Sequence, residues 1–370
     1  MRPKDKEEMR TIMRLRELRT TISFLGLDII ITPENKVVYV EINGANSGTK
    51  GFKKVYSRHI PKEVLEYLQR TRSLPILQFG ASKGDAEIIA LEEHSSFGKE
   101  DMYMVGPPDF FGFAKKAEPH IGNGQSAIVW NYHASHVFID EKKYIVINPH
   151  AVSRAVHDKA IIHALFKGLE ERPQAYTILF RNKEQDHSKD IASSKASHFV
   201  IKATDESQGR KIVVCPREEL FDPRENPRQS PVAYFRQREE AFTFWNEPNI
   251  IIEELIESKE IPSQTTGRNH YGCIRYIILV ESEKGNITIK PFGGYWRLCA
   301  GDVHDEDLER RYIANLSNPN MKAIPEPLSE KDDETIKESI TTIIPTLYKR
   351  FLRMPVNERP DRVEISDYCF

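Results

Sequence analysis

The stretch "GLDIIITPENKVVYVEINGANSG", Gly26 to Gly48, commits this chain to a β-sheet. Its halves, "LDIIIT" and "VVYVEI", are short, apolar and rich in β-branched residues, and the Pro-Glu-Asn-Lys between them is a turn composition. Residues two apart on a strand share a face, so Glu41 and Asn43 point the same way. A turn near Pro33–Lys36 brings Asp28 beside them. Two carboxylates and an amide oxygen are hard donors, suited to a Mg²⁺ ion that bridges phosphates. A polar face on an edge hairpin accounts for the same trio without a metal.

Around the hairpin the chain alternates strand and helix patterns. Residues 7–25 carry Met9, Ile12, Met13, Ile22 and Leu25 at helix-like spacing, and residues 61–70 read as another short helix. From Leu74 the candidate strands "LPILQFG", "MYMVG", "SAIVWNY" and "KYIVINP" and the helix "DAEIIALEEH" suggest a small open α/β layer over 74–150. "AVHDKAIIHALFKGLEE" reads as one amphipathic helix. After it come "AYTILF" and the strand–loop–strand "SHFVIKATDESQGRKIVV". A Pro- and Arg-rich insertion follows at 221–240. "NIIIEELI", "GCIRYIILVE" and "NITIKPFGG" give three more strands, and "ETIKESITTIIPTLYKRFL" the last helix. The fold class is α/β, of the α+β kind.

Charge and cysteine content narrow the partners. With 53 Lys and Arg against 55 Asp and Glu, the net charge of −2 argues against a general nucleic-acid or anionic-membrane binder. No apolar run reaches the roughly 18 residues that would cross a bilayer. The first residues, "MRPKDKEEMRTIMRLRELR", lack the apolar core of a secretory signal. Cys215, Cys273, Cys299 and Cys369 are far apart and form no CxxC pair, so reduced thiols in a cytoplasmic protein are expected.

Several further residues have the chemistry of a phosphate site. Lys202 ends a strand, and the small and polar residues after it, Ser207 and Gly209 among them, let backbone N–H groups approach phosphate oxygens. GxxxxGK[ST] is absent, so this is not a Walker loop, and a solvated lysine before a hairpin turn is the simpler alternative. The strand of "IIIEELIESKEIP" could offer backbone groups to an adenine edge and Glu260 to ribose hydroxyls, although acidic residues after a strand are common. Asp158 opens a helix, where a cap is its ordinary role, while Lys159 could reach a phosphate. Arg275 and Arg297 sit on strands; each could hold a transferring phosphoryl group or simply cover the sheet. His133 and His136 have metal-pair spacing with no third ligand in view. His157 and His163 flank the helix and could touch substrate, with packing the more ordinary role, and the aromatics Tyr234, Phe235, Phe242, Phe244 and Trp245 read as core or lid packing.

Together these segments resemble the ATP-grasp family of carboxylate ligases. The separation of Asp28 from Glu41 and Asn43 is similar to the family's D…E-x-N metal strands. "HDKAIIHALFKGLEERPQAYTIL" is similar to its first helix and "VIKATDESQGRKIVV" to its lysine strand and phosphate-covering loop. "IIIEELIESKEI" looks like its hinge, and "YIANLSNPNMKA" like a segment that closes the triphosphate site. The resemblance covers most of residues 20–350. It implies two α+β subdomains around the nucleotide, preceded by a small open α/β domain, and a ligase that uses ATP with Mg²⁺, or Mn²⁺ in its place. Asp28, Glu41 and Asn43 would hold the metal. Lys159, Lys202, Ser207, Gly209, Glu253, Glu254, Leu255, Ile256 and Glu260 would bind the nucleotide, and Arg275 or Arg297 would act near the reacting oxygens. The substrates would be a small-molecule or peptide carboxylate and an amine, with neither nucleic acid nor membrane as partner. A homodimer is open, as are a phosphotransferase and an inactive nucleotide-binding module.

The order of the parts departs from the family, whose metal strands come last. After "IKESITTIIPTLYKRFL" this chain offers only "RMPVNERPDRVEISDYCF", without E-x-N. Circular permutation is the economical account: residues 1–60 complete a module built by 151–352, with 74–150 between them and 353–370 as a tail. A tandem remnant is the alternative.

Overall fold

A computed structural model describes residues 19–44, 49–72, 74, 76–79, 127–131, 144–171, 175–179, 194–203, 212–217, 249–314 and 322–354. The elements begin with β1 (Thr21–Ile31), β2 (Val37–Asn43), α1 (Thr49–Tyr56), α2 (Ile60–Arg72), β3 (Ile76–Phe79), β4 (Ile128–Asn131) and β5 (Ile145–Ile147). They continue with α3 (His150–His157), α4 (Lys159–Leu165), β6 (Ala175–Leu179), β7 (His198–Ala203), β8 (Ile212–Pro216) and β9 (Asn249–Glu254). Last come β10 (Ile261–Pro262), β11 (Asn269–His270), β12 (Gly272–Glu283), β13 (Asn286–Leu298), α5 (Leu308–Tyr312), β14 (Ile324–Pro327) and α6 (Glu330–Arg353).

Among the described residues the main sheet has the order β14-β13-β12-β1-β5-β4-β3, with β2 also paired to β1. β1 is antiparallel to β2 and β12 and parallel to β5. A second sheet runs β6-β9-β7-β8, and β10 and β11 form a small ribbon. The result is a mixed α+β fold.

β1 is apolar along most of its length because both of its faces are covered. Leu25, Leu27, Ile29 and Ile31 join Ile274, Tyr276 and Ile278 of β12 in a core shared with α3, α4 and α6. On the opposite face Ile22, Phe24, Ile277 and Leu279 pack with Phe52, Val64 and Leu68 of α1 and α2. Further along that second face, Asp28 replaces the apolar residues, and the second sheet stands across it. The Tyr348 hydroxyl bonds Ser23 Oγ at 2.8 Å and Thr21 Oγ1 at 3.1 Å, fastening α6 to the start of β1.

The hairpin closes as its turn residues dictate. Asn35 takes φ 60°, the left-handed region asparagine tolerates, and its N–H donates to the Thr32 carbonyl at 2.9 Å. In β1–β2, Asp28 faces Glu41 but Ile29 faces Tyr39, so Val40 is an extra, bulged residue. A bulge re-aims the side chains around it, and Val40 and Glu41 both reach the same cleft.

Three expectations need correction. The helix expected over 7–25 does not extend through its last residues: 21–25 belong to β1, where Ile22 and Leu25 lie on opposite faces. Residues 7–18 lie outside the described residues. The single helix after 150 is two, because Asp158 is extended (φ −113°, ψ 112°) and caps α4 by accepting the Ala160 N–H at 2.8 Å. β3, β4 and β5 do not form a layer of their own: Ile147 of β5 pairs with Ile22 of β1, and they continue the main sheet. "DAEIIALEEH", "MYMVG", His133, His136, the 221–240 insertion with its aromatics and residues 355–370 lie outside the described residues.

Candidate active site

A cleft of about 1030 Å³, open solvent included, lies between the two sheets. The main sheet supplies Asp28, Glu41, Asn43, Arg275 and Arg297, the second sheet Lys202, Glu253 and Glu254, and α4 supplies Lys159.

Strand register explains the main-sheet contribution. Asp28 is paired with Glu41 on one side and Arg275 on the other, and Cys273 with Arg297. Paired and alternate residues share a face, so all of them point into the cleft. Arg275 donates from Nε to Asp28 Oδ1 at 2.5 Å and from Nη2 to Oδ2 at 3.0 Å. Arg297 Nη2 lies 2.8 Å from Oδ1, and Asn43 Nδ2 donates to Oδ2 at 3.3 Å. Burial opposes ionisation of Asp28, but the two guanidiniums hold its carboxyl below the usual carboxylate range. Arg297 Nη2 also donates to Cys273 Sγ at 2.8 Å. Burial pushes that thiol above its ordinary value, so it stays neutral. Arg297 Nε is buried with no hydrogen-bond partner among the described residues.

The lysines arrive from separate elements. Lys202, near the end of β7, lies 2.6 Å from Glu253 Oε2 on the neighbouring β9. Lys159, at the start of α4, is 3.7 Å from Glu41 Oε1. At the hinge, Glu254 accepts from the Ser194 hydroxyl. Leu255 and Ile256 line the cleft, though the Leu255 N–H is engaged by the His198 carbonyl at 3.0 Å.

Two expected residues have other roles, and two cannot be placed. Glu260 is absent from the cleft lining; its Oε2 accepts from Asn269 Nδ2 at 2.9 Å beside the β10–β11 ribbon, so it is not positioned for a ribose there. Asp28 is the counter-ion of two arginines. A carboxylate has about four acceptor positions, and here four N–H donors meet them. As a three-donor set for Mg²⁺ or Mn²⁺, Asp28, Glu41 and Asn43 therefore do not fit, although the hairpin does bring them onto one face. Ser207 and Gly209 lie outside the described residues. Sequence reading missed Cys273 and Tyr312 as lining residues. Cys273 was findable, because it is two residues before Arg275 on one strand. Tyr312 stacks on Tyr271 with ring centroids 5.3 Å apart and donates to Glu257 Oε1 at 2.7 Å, contacts between segments that no local pattern announces.

No protein-family model matches the chain, and no curated protein matches it. Among solved structures it is similar to a provisionally named gamma-glutamylcysteine synthetase from Methylobacillus flagellatus KT. That likeness has 10% identity and TM-score 0.46, over 95% of this chain and 93% of the other. It is also similar to a glutathione synthetase-like effector from Globodera pallida in its apo form, at 7% identity and TM-score 0.39, over 80% of this chain and 79% of the other. Likeness at this level carries no argument about activity.

Proposed function

We propose that the cleft binds ATP and that the protein is an ATP-dependent ligase joining a carboxylate to an amine through an acyl phosphate. The observation that carries this reading is the convergence of Lys159, Lys202, Arg275 and Arg297, from α4, β7, β12 and β13, on one cleft between two sheets. A triphosphate needs charge neutralised at several points along its length, and phosphoryl transfer is catalysed mainly by positioning and electrostatic stabilisation. Lys159 and Lys202 would hold the phosphates, exchanging their present carboxylate partners for phosphate oxygens. The apolar wall of Val200, Ile212, Leu255 and Ile256 would take the base.

In the reaction, a substrate carboxylate oxygen attacks the γ-phosphorus, the bond to the β–γ bridging oxygen breaks, and ADP leaves. The amine then attacks the acyl carbon, phosphate departs with its oxygen, and the nitrogen loses a proton. Arg275 and Arg297 would face the oxygens on which charge develops. Circular permutation is our account of the early hairpin. It is supported by β1 lying in the main sheet directly beside β12, with Asp28 facing Arg275.

ADP release measured against panels of carboxylates and amines tests the reaction. Turnover that requires both is the expected result. A phosphorylated product formed without an amine would make the protein a phosphotransferase, and ATP binding with no turnover on any pair would make it a nucleotide sensor.

A further inference from the structure

We infer that Asp28 is a positioning residue: it aligns Arg275 and Arg297 into a clamp whose remaining positive charge is met by an oxyanion of the ligand. Only the identity of that oxyanion, substrate carboxylate or phosphoryl group, rests on the ligase reading above.

The charge balance is the first argument. Arg275, Arg297 and Asp28 are 6%, 9% and 5% exposed, so the three ions are essentially out of bulk water. Two guanidiniums against one carboxylate leave one positive charge. Of the other carboxylates that line the cleft, Glu41 is engaged with Lys159, Glu253 with Lys202 and Glu254 with the Ser194 hydroxyl, and none is ion-paired with either arginine among the described residues. Cys273, the other group Arg297 touches, is a neutral thiol. Burying a net charge without a partner is strongly unfavourable, so this arrangement is made for an anion that arrives from outside.

Donor geometry is the second. Arginine offers five N–H donors in a rigid fork matched to carboxylate and phosphate. Asp28 takes Nε and Nη2 of Arg275 and Nη2 of Arg297, which fixes both planes. Arg297 Nε is left buried and unpartnered among the described residues, in a side chain that lines the cleft. A carboxylate placed to ligate a metal would instead turn at least one oxygen toward open space.

The test uses the full chain and its thermal midpoint in sodium phosphate, sodium acetate and sodium chloride at matched ionic strength. At ten times the dissociation constant, one oxyanion bound only to the folded state raises the midpoint of a chain this long by about 2 °C over chloride. Asp28→Asn lowers the midpoint in chloride, and the oxyanion raises that variant's midpoint by more than it raises the wild type's, because the unbalanced charge is now larger; a merely structural aspartate would leave the increment at its wild-type size. Arg297→Gln removes the oxyanion-specific rise. Arg297→Lys, which keeps the charge and loses the fork, retains part of it. A rise with phosphate alone identifies a phosphoryl subsite and a rise with acetate a subsite for the acid substrate, and either supports the clamp. No rise over chloride in the wild-type chain, an undiminished rise in Arg297→Gln, or an increment in Asp28→Asn no larger than the wild type's overturns it. ATP retention is measured separately on the wild-type chain, so failure of the nucleotide reading and failure of the clamp are told apart.

Discussion

Replacing Lys202 by methionine separates what this residue does for the fold from what it does for a ligand. Its Nζ lies 2.6 Å from Glu253 Oε2, with the two side chains 11% and 4% exposed. At an effective dielectric near 20 the attraction is about 6 kcal/mol, much of it offset by the desolvation of both groups. Methionine keeps most of the apolar stem, so the main effect is to take the cation away from the Glu253 carboxylate, whose side chain is 4% exposed. Breaking a buried pair from one side costs about 3–5 kcal/mol, a large share of a total stability of about 5–15 kcal/mol. Adding Glu253→Gln removes the buried negative charge and is expected to return at least about 2 kcal/mol. Urea denaturation followed by far-UV circular dichroism on the single variants and the double gives the coupling directly. The double variant then keeps the sheet without the cation, and its ATP affinity compared with that of Glu253→Gln alone reports the role of Lys202 in the ligand site. A single-variant loss below about 1 kcal/mol, or simple additivity in the double, would refute the premise that the cation is held by this pair.

Three other features of the fold have measurable consequences. Asp158→Ala removes the cap on α4 and should lower stability by about 1 kcal/mol, with Asp158→Asn close to wild type in the same thermal melts. A Cβ at Gly51 would fall 2.0 Å from Cζ of the buried Tyr295 ring. Gly51→Ala should therefore cost about 1–3 kcal/mol, partly recovered by Tyr295→Val, as measured by denaturant midpoints. Burial works against ionisation of Glu326, but hydrogen bonds from Ser263 Oγ and from the Thr265 N–H and hydroxyl hold its carboxyl below 4.5. A folded value below the unfolded one stabilises the protein above about pH 4.5, and that stability is lost as pH falls through the folded value. Ser263→Ala should flatten this acid limb when midpoints are followed from about pH 6 to 3.

The hairpin was legible because its composition and its turn agree: β-branched halves flank a Pro-Glu-Asn-Lys corner, and Asn35 takes the left-handed conformation. Lys159, Lys202, Arg275 and Arg297 could each be named from local pattern, and the fold brings them to one cleft. Other features were hidden because they are tertiary. Ile22 and Leu25 satisfy a helical spacing, but a strand covered on both faces also puts apolar residues at consecutive positions. The break at Asp158 is a backbone choice within a sequence whose hydrophobic period runs straight through it. The engagement of Asp28 with two guanidiniums depends on residues 247 and 269 positions later, and no spacing within the hairpin distinguishes a metal ligand from a counter-ion.

That separation also bears on how the nascent chain matures. One edge of β1 finds β2 as soon as the hairpin emerges, but its other edge waits for β12, and the Asp28–Arg275 pairing spans 247 positions. At about 5–20 residues per second, ribosomal synthesis leaves that apolar edge open for about 12–50 s. The helix that covers one face of this sheet, α6, is made later still, and Tyr348 meets Ser23 only then. Fragments ending before residue 270 should therefore expose a sticky, half-paired ribbon and partition to chaperones or aggregates, while full-length product does not.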